Sequence, residues 1–342
     1  FSLLGSPMAE QPSQESHLAW INQVQEEALE PDLPICDAHH HLWRGEGHNG
    51  WPYLLPDLHE DTGSGHNIVR TVFLECHSEY RQQGPLHLRS VGETEFVTGV
   101  AEESATSGKA EIAAIMSNAD VSLGDAVEEV LVAHERAGRG RFRGVSYSTA
   151  QNSHPPLAMR PSAAMDDPNY LAGVRKVGTM GYTYDAMVYY PQLPELVEVV
   201  KACPETPIVI NHLGCILGTG PYKDRREEIL EFWRAAMSDL AQFPNAFLKL
   251  GGIGMPMMGF RWDKQAVPPN SVELATPWRQ PIQYVIEQFG PDRCMFESNF
   301  PVDRRGAGYC VLWNTYKRIA SEYSADEKRD LFHDTAARAY RI

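Results

Sequence analysis

The chain of 342 residues has only six cysteines, at positions 36, 76, 203, 215, 294 and 310, and no CxxC pair among them. That excludes a zinc ribbon or dithiol redox motif. Cys36, Cys76 and Cys294 fall inside apolar runs, so the cysteines read as free thiols in a reducing compartment. Long hydrophobic runs are also lacking, and none approaches the roughly 18 apolar residues of a membrane span. Basic residues are the minority, 30 Lys and Arg against 45 Asp and Glu, giving a net charge of −15. This argues against a nucleic acid or an anionic membrane as partner. No GxGxxG follows an apolar run and no P-loop occurs, so nucleotide sites of those kinds are not expected. Repeats and low-complexity tracts are absent. The opening "FSLLGSP" lacks a basic leader and a long apolar segment, which makes it a poor signal peptide. Met8 reads as the natural start, and the chain as cytoplasmic.

What is present is ordinary globular composition, 43% hydrophobic and 22% charged. After a polar start, "SQESHLAWINQVQEEALEP" has helical character up to Pro31. From residue 34 onward, short apolar runs alternate with longer amphipathic ones. The strand candidates are "PICDAHHH", "IVRTVFLEC", "EIAAIMSNAD", "RFRGVSYS", "YTYDAMVYY", "TPIVINHLG", "NAFLKLGGIG" and "RCMFESNFP". Helix candidates lie between several of them, such as "SLGDAVEEVLVAHERAG" and "KDRREEILEFWRAAMSDLAQF", and two more close the chain. Eight strands separated mainly by helices predict an α/β fold, a TIM-type (β/α)8 barrel over residues 34–342. Residues 1–33 form an N-terminal extension with a helix, which docks on its own barrel or on a neighbour's.

The first strand carries "DAHHH". Side chains alternate along a strand, so Asp37, His39 and His41 are expected on one face, with Ala38 and His40 on the other. Two imidazoles on one face can converge on a single ion. Active sites of such barrels lie at the carboxyl ends of the strands, and polar residues gather there. Strand two ends with Glu75 and His77, strand four has Arg143, Ser146 and Tyr147, and strand five offers Tyr184, Asp185, Tyr189 and Tyr190. Strand six ends with His212, strand seven carries Lys249, and strand eight ends "FESNFPVD" with Glu297, Asn299 and Asp303. Singly, each has a structural explanation: a paired lysine, a hydrogen-bonded core tyrosine, a satisfied histidine. Together they point to a pocket, because a polar cluster that costs desolvation is usually retained for a site.

The combination of "DAHHHLW", "RFRGVSYS", "PIVINHLG", "FLKLGG", "RCMFESNFPVD" and the terminal "LFHDTAARAYRI" resembles the amidohydrolase superfamily, specifically its amidohydrolase-related lactonase branch. The resemblance implies a TIM-type barrel and mainly hydrolytic chemistry on sugar-acid or pyrone dicarboxylate lactones, with decarboxylases in related branches. It places one divalent metal, zinc by expectation, at His39, His41 and His212, although some members work without a metal. It also puts Asn299 where the family's strand-eight aspartate sits. An asparagine cannot act as a carboxylate base, so Asp303 or Glu75 is expected to replace it, ahead of Glu297. The expected catalytic set is thus His212, Asp303, Asn299 and Glu75. His77, Arg143, Tyr147, Tyr189 and Lys249 are expected to grip the substrate. The expected activity is hydrolysis of a lactone or related ester of a small molecule. A metal-dependent non-oxidative decarboxylase and an inactive binding barrel are the alternatives, and a homo-oligomer is compatible with the sequence.

Overall fold

The computed structural model describes residues 13–45, 50–154, 157 and 163–342; Met8, the expected start, lies outside the described residues. Eight strands form one parallel sheet in sequence order: β1 (Pro34–His40), β2 (Asn67–Leu74), β3 (Glu111–Asn118), β4 (Phe142–Ser148), β5 (Thr183–Met187), β6 (Ile208–Ile210), β7 (Ala246–Leu250) and β8 (Cys294–Phe296). The segment after β8 closes the sheet onto β1, with Asn299 N donating to His39 O at 2.8 Å and His41 N to Phe300 O at 2.8 Å. This is the (β/α)8 barrel expected from the pattern.

The helices are α1 (Gln14–Ile21), α2 (Leu55–Thr62), α3 (Val91–Thr106), α4 (Val127–Gly138), α5 (Pro168–Thr179), α6 (Leu193–Ala202), α7 (Arg226–Ala241), α8 (Ser271–Ala275), α9 (Arg279–Phe289), α10 (Tyr309–Ile319), α11 (Ala325–Arg329) and α12 (Thr335–Tyr340). Their buried stripes follow helical spacing. In α4, Val127, Val130, Leu131 and His134 face the barrel, and the helix ends where Arg139 turns left-handed after Gly138. Inside the barrel, Cys36, Ala38, Val72, Leu74, Ala114, Met116, Val209, Met295 and Tyr340 pack together. A larger apolar layer lies between strands and helices. All six cysteines are unpaired.

The N-terminal extension differs from its expected form. The helix stops at Ile21, and residues beyond it run as a strap against α10. Side chains of α10 take the strap's backbone groups: Asn314 donates through Nδ2 to Glu27 O and accepts from Leu29 N at Oδ1, and Lys317 Nζ donates to Leu29 O and Glu30 O. Leu29 N is given to Asn314 and so is not available to a helical carbonyl. The helix itself docks on its own barrel, with His17 Nε2 3.1 Å from Arg304 O and the His17 ring against Trp51. Among the described residues, no helix is long and apolar enough to cross a membrane.

Candidate active site

The register of β1 slips between Asp37 and His40, a β-bulge. The slip overturns the expected single face for Asp37, His39 and His41, because an extra residue reverses the alternation beyond it. Asp37 points out of the barrel and accepts Ser298 N at 2.8 Å and Tyr309 OH at 2.8 Å. His39 and His41 turn together, with their Nε2 atoms 3.2 Å apart. His40 faces the other way, its Nε2 3.0 Å from Thr71 Oγ1, and burial lowers its pKa to about 3.

Strand ends β6 and β8 bring the remaining partners. Beyond β6 the chain turns sharply, with His212 and Leu213 both at positive φ (54° and 55°). Asn299, after β8, is left-handed too (53°). Non-glycine residues held there cost about 1–3 kcal/mol each and collect at functional sites. His212 Nδ1 lies 2.7 Å from Glu297 Oε1, and His39 Nδ1 lies 2.8 Å from Glu297 Oε2. Burial works to raise the Glu297 carboxyl, but His212 and His39 beside it hold it well below the usual carboxylate range. Burial and the nearby Lys249 charge keep His39 well below an ordinary imidazole. Glu297, ranked last among the acids from sequence, is therefore the carboxylate in contact with the histidines. The signal was its spacing, two residues before Asn299.

Asn299 Oδ1 is 3.3 Å from His41 Nε2, and its Nδ2 donates to Asp303 Oδ1 at 2.8 Å. Asp303 Oδ2 accepts Gly254 N at 2.9 Å, and burial raises its pKa to about 7. On the β2 side, Glu75 is raised by burial against the opposing hydrogen bonds of Asn118 and Ser146. Its Oε2 is 3.3 Å from Nδ1 of His77, which is half-exposed at the rim. Sequence reasoning missed Glu93 of α3, buried behind this strand end. Its Oε1 accepts Cys76 N and Ser78 N, and its carboxyl is raised by burial and then by the Glu75 charge.

Three expected substrate contacts lie elsewhere. Arg143 is the second residue of β4, at the amino-terminal end of the barrel, where its Nη1 donates to Gly140 O and Phe142 O and its Nε to Arg341 O. Strand direction alone puts it opposite the mouth. Tyr147 follows the outward alternation of Val145, and its ring packs near Tyr170 of α5. Lys249 does point inward but is 0% exposed, with its Nζ 2.7 Å from Asp185 Oδ2, so the pair seals the barrel beneath the histidines. Tyr189 lies on the loop after β5, with its hydroxyl 3.4 Å from Leu157 O.

A metal can be tested against these distances. Ligand atoms held about 2.0–2.1 Å from a tetrahedral zinc stand about 3.3 Å apart. His41 Nε2 meets that spacing to His39 Nε2, at 3.2 Å, and to Asn299 Oδ1, at 3.3 Å. His41 Nδ1 is 2.9 Å from Leu74 O, which places its proton on Nδ1 and a lone pair on Nε2. His41 Nε2 and Asn299 Oδ1 are both acceptors facing one another there, and a shared cation would satisfy them. Among the described residues, His39, His212 and Glu297 also offer ligand-type atoms within 4.8 Å of one another. The donor set fits a divalent ion.

Residues 36–342 match the amidohydrolase family. The chain belongs to that family. It is an amidohydrolase-like hydrolase of the lactonase-like branch. The protein y4mH of Sinorhizobium fredii is 29% identical over 326 residues, 91% of this chain and 99% of that one. An L-fucono-1,5-lactonase of Burkholderia multivorans is 30% identical over 181 residues, 53% of this chain and 58% of the lactonase. Among solved structures, an amidohydrolase from Burkholderia multivorans with bound zinc superposes with a TM-score of 0.70 at 24% identity, covering 90% of this chain and 99% of its own. That likeness concerns the fold.

Proposed function

We propose that this amidohydrolase opens a lactone of a hydroxylated or carboxylated small molecule by attack of water on the ring carbonyl. The observation that carries the reading is the convergence of His39 Nε2, His41 Nε2 and Asn299 Oδ1 at the mouth. The lactonase name of a 30% identical relative supports it. His39, His41 and Asn299 would hold one divalent ion, with His212 beside them. Zinc is the choice supported by the zinc-bound amidohydrolase of the same fold. Bound there, the ion would polarise the carbonyl and make water a better nucleophile at neutral pH.

The chain's own groups manage the protons. Water adds to the carbonyl carbon, the ring C–O bond breaks, and the departing alkoxide takes up a proton. Glu75, at the end of β2, has its pKa raised by burial and would accept the water proton and return it to the leaving oxygen. Asp303 is the second acid, placed against Asn299. His77 and Tyr189 stand at the strand ends where a substrate's hydroxyl groups would lie.

Protein purified without chelator is expected to carry about one zinc-type ion per chain by elemental mass spectrometry and to acidify a panel of sugar-acid and pyrone lactones. His39→Ala should lose both ion and turnover, while His40→Ala keeps turnover. Lactone opening that persists in His39→Ala, or no opening of any lactone by metal-replete protein, would sink the proposal.

A further inference from the structure

The proton transfers above leave one carboxylate without a task. Glu297 is fully buried, against His39 and His212. Its two oxygens stand 2.7 Å from His212 Nδ1 and 2.8 Å from His39 Nδ1. Those distances are too short for atoms sharing a tetrahedral zinc, about 3.3 Å apart. They match charge-assisted N–H···O separations, about 2.7–2.9 Å; the His212 contact is aligned as a hydrogen bond, while Glu297 Oε2 faces His39 as an ion pair.

We infer that Glu297 is a positioning residue, one carboxylate that holds the Nδ1 protons of both His39 and His212 and leaves both Nε2 atoms unprotonated for the reacting centre. The inference rests on the reading of these histidines as that centre. Ring nitrogens are coupled in this way: whichever nitrogen is fixed as donor makes the other a lone-pair donor to metal or substrate. His41 reaches the same state through a backbone carbonyl, Leu74 O at 2.9 Å. All three rings would then present Nε2.

The turn after β7 is built around this carboxylate. A Cβ on Gly251 would fall 2.2 Å from Glu297 Cγ, and one on Gly252 would fall 2.8 Å from His212 Cβ. The rival arrangement comes from Lys249, whose Nζ is 3.3 Å from the same His39 Nδ1. Were Lys249 to donate there, His39 would carry its proton on Nε2 and give it to His41 Nε2. The Glu297 oxygen is the nearer at 2.8 Å. Lys249, with three N–H donors, gives one to Asp185 at 2.7 Å and has others to give, so the His39 tautomer distinguishes the two arrangements.

Two-bond 1H–15N correlation spectra of the full-length, chelator-stripped, 15N-labelled protein read the tautomers directly, with His39→Gln and His212→Gln for assignment. Both rings should carry their proton on Nδ1. In Glu297→Gln at least one should shift toward Nε2–H, and zinc affinity, measured by competition with a chromophoric chelator, should fall about 10–100-fold. An Nε2–H tautomer for His39 in the unsubstituted protein overturns the inference, as do unchanged tautomers in Glu297→Gln. Should Glu297→Gln not fold, the unsubstituted spectrum still decides. Failure of the lactone panel would remove the proposed reaction and leave the tautomer result standing, so the two are separable.

Discussion

Each buried histidine here takes its character from what its nitrogens meet. His39 and His212 meet a carboxylate, His41 a carbonyl, and His40 a threonine hydroxyl. The sequence shows the pair His39 and His41 by spacing alone, since they stand two positions apart. It does not show their partners, because Leu74 and Glu297 arrive from other strands. His134 of α4 supplies a test at this scale. It is 0% exposed, with Nδ1 2.8 Å from Thr94 Oγ1 and Nε2 3.0 Å from Asn118 O. Burial lowers its pKa to about 4 from an ordinary 6.5. The unfolded chain therefore binds the extra proton between those values. The stabilising contribution is complete above pH 6.5 and is lost as pH falls toward 4, by up to about 1.4 kcal/mol per pH unit. Denaturant titrations across that range should show a shallower acid limb in His134→Gln than in the unsubstituted protein. Equal slopes would mean that His134 is protonated in the folded state.

At the level of elements, the barrel mouth depends on two irregularities in strands. The bulge in β1 turns His39 and His41 inward while sending Asp37 out to Ser298 and Tyr309. A strictly alternating strand would have left Asp37 in the pocket. The glycines after β7 leave room for Glu297 and His212. Gly251→Ala should displace Glu297, costing about 1–3 kcal/mol by overpacking and lowering lactone turnover by more than the same loss of stability does elsewhere in the barrel. Thermal unfolding and kinetics on the same preparation check this, and unaltered turnover with lowered stability would detach the glycine from the site. Helix lengths were the less legible part. Helices α2, α3 and α5 were not singled out, and the carboxyl-terminal helix is divided by a π-turn at Asp330–Asp334. In α3 polar and small residues lie on the buried side, among them Glu93, Thr94, Thr98 and Ser104, so periodicity is weak there.

Across the whole molecule, the N-terminal strap ties α1 to the far end of the chain. Glu26 accepts Ser271 N and Asn314 Nδ2, and Lys317, 1% exposed, gives two hydrogen bonds to strap carbonyls. Removing residues 1–33 strips these partners, at about 1–3 kcal/mol for each buried group left unsatisfied. A clear fall in Tm is expected, and an unchanged Tm would show the strap to be dispensable. The eight-strand count and the strand order followed from sequence, because strand runs and helical stripes are local patterns with fixed periods. Local pattern also assigned Arg143, Tyr147 and Lys249 to the substrate. Tertiary structure moved them, because distance along a strand from its carboxyl end, the side of the sheet and the depth in the barrel are set by register and closure. The place of Glu297 was decided the same way, by β8 folding back against β1 and β6. Residue type and spacing name the groups able to do chemistry; the packing of strands decides which of them meet.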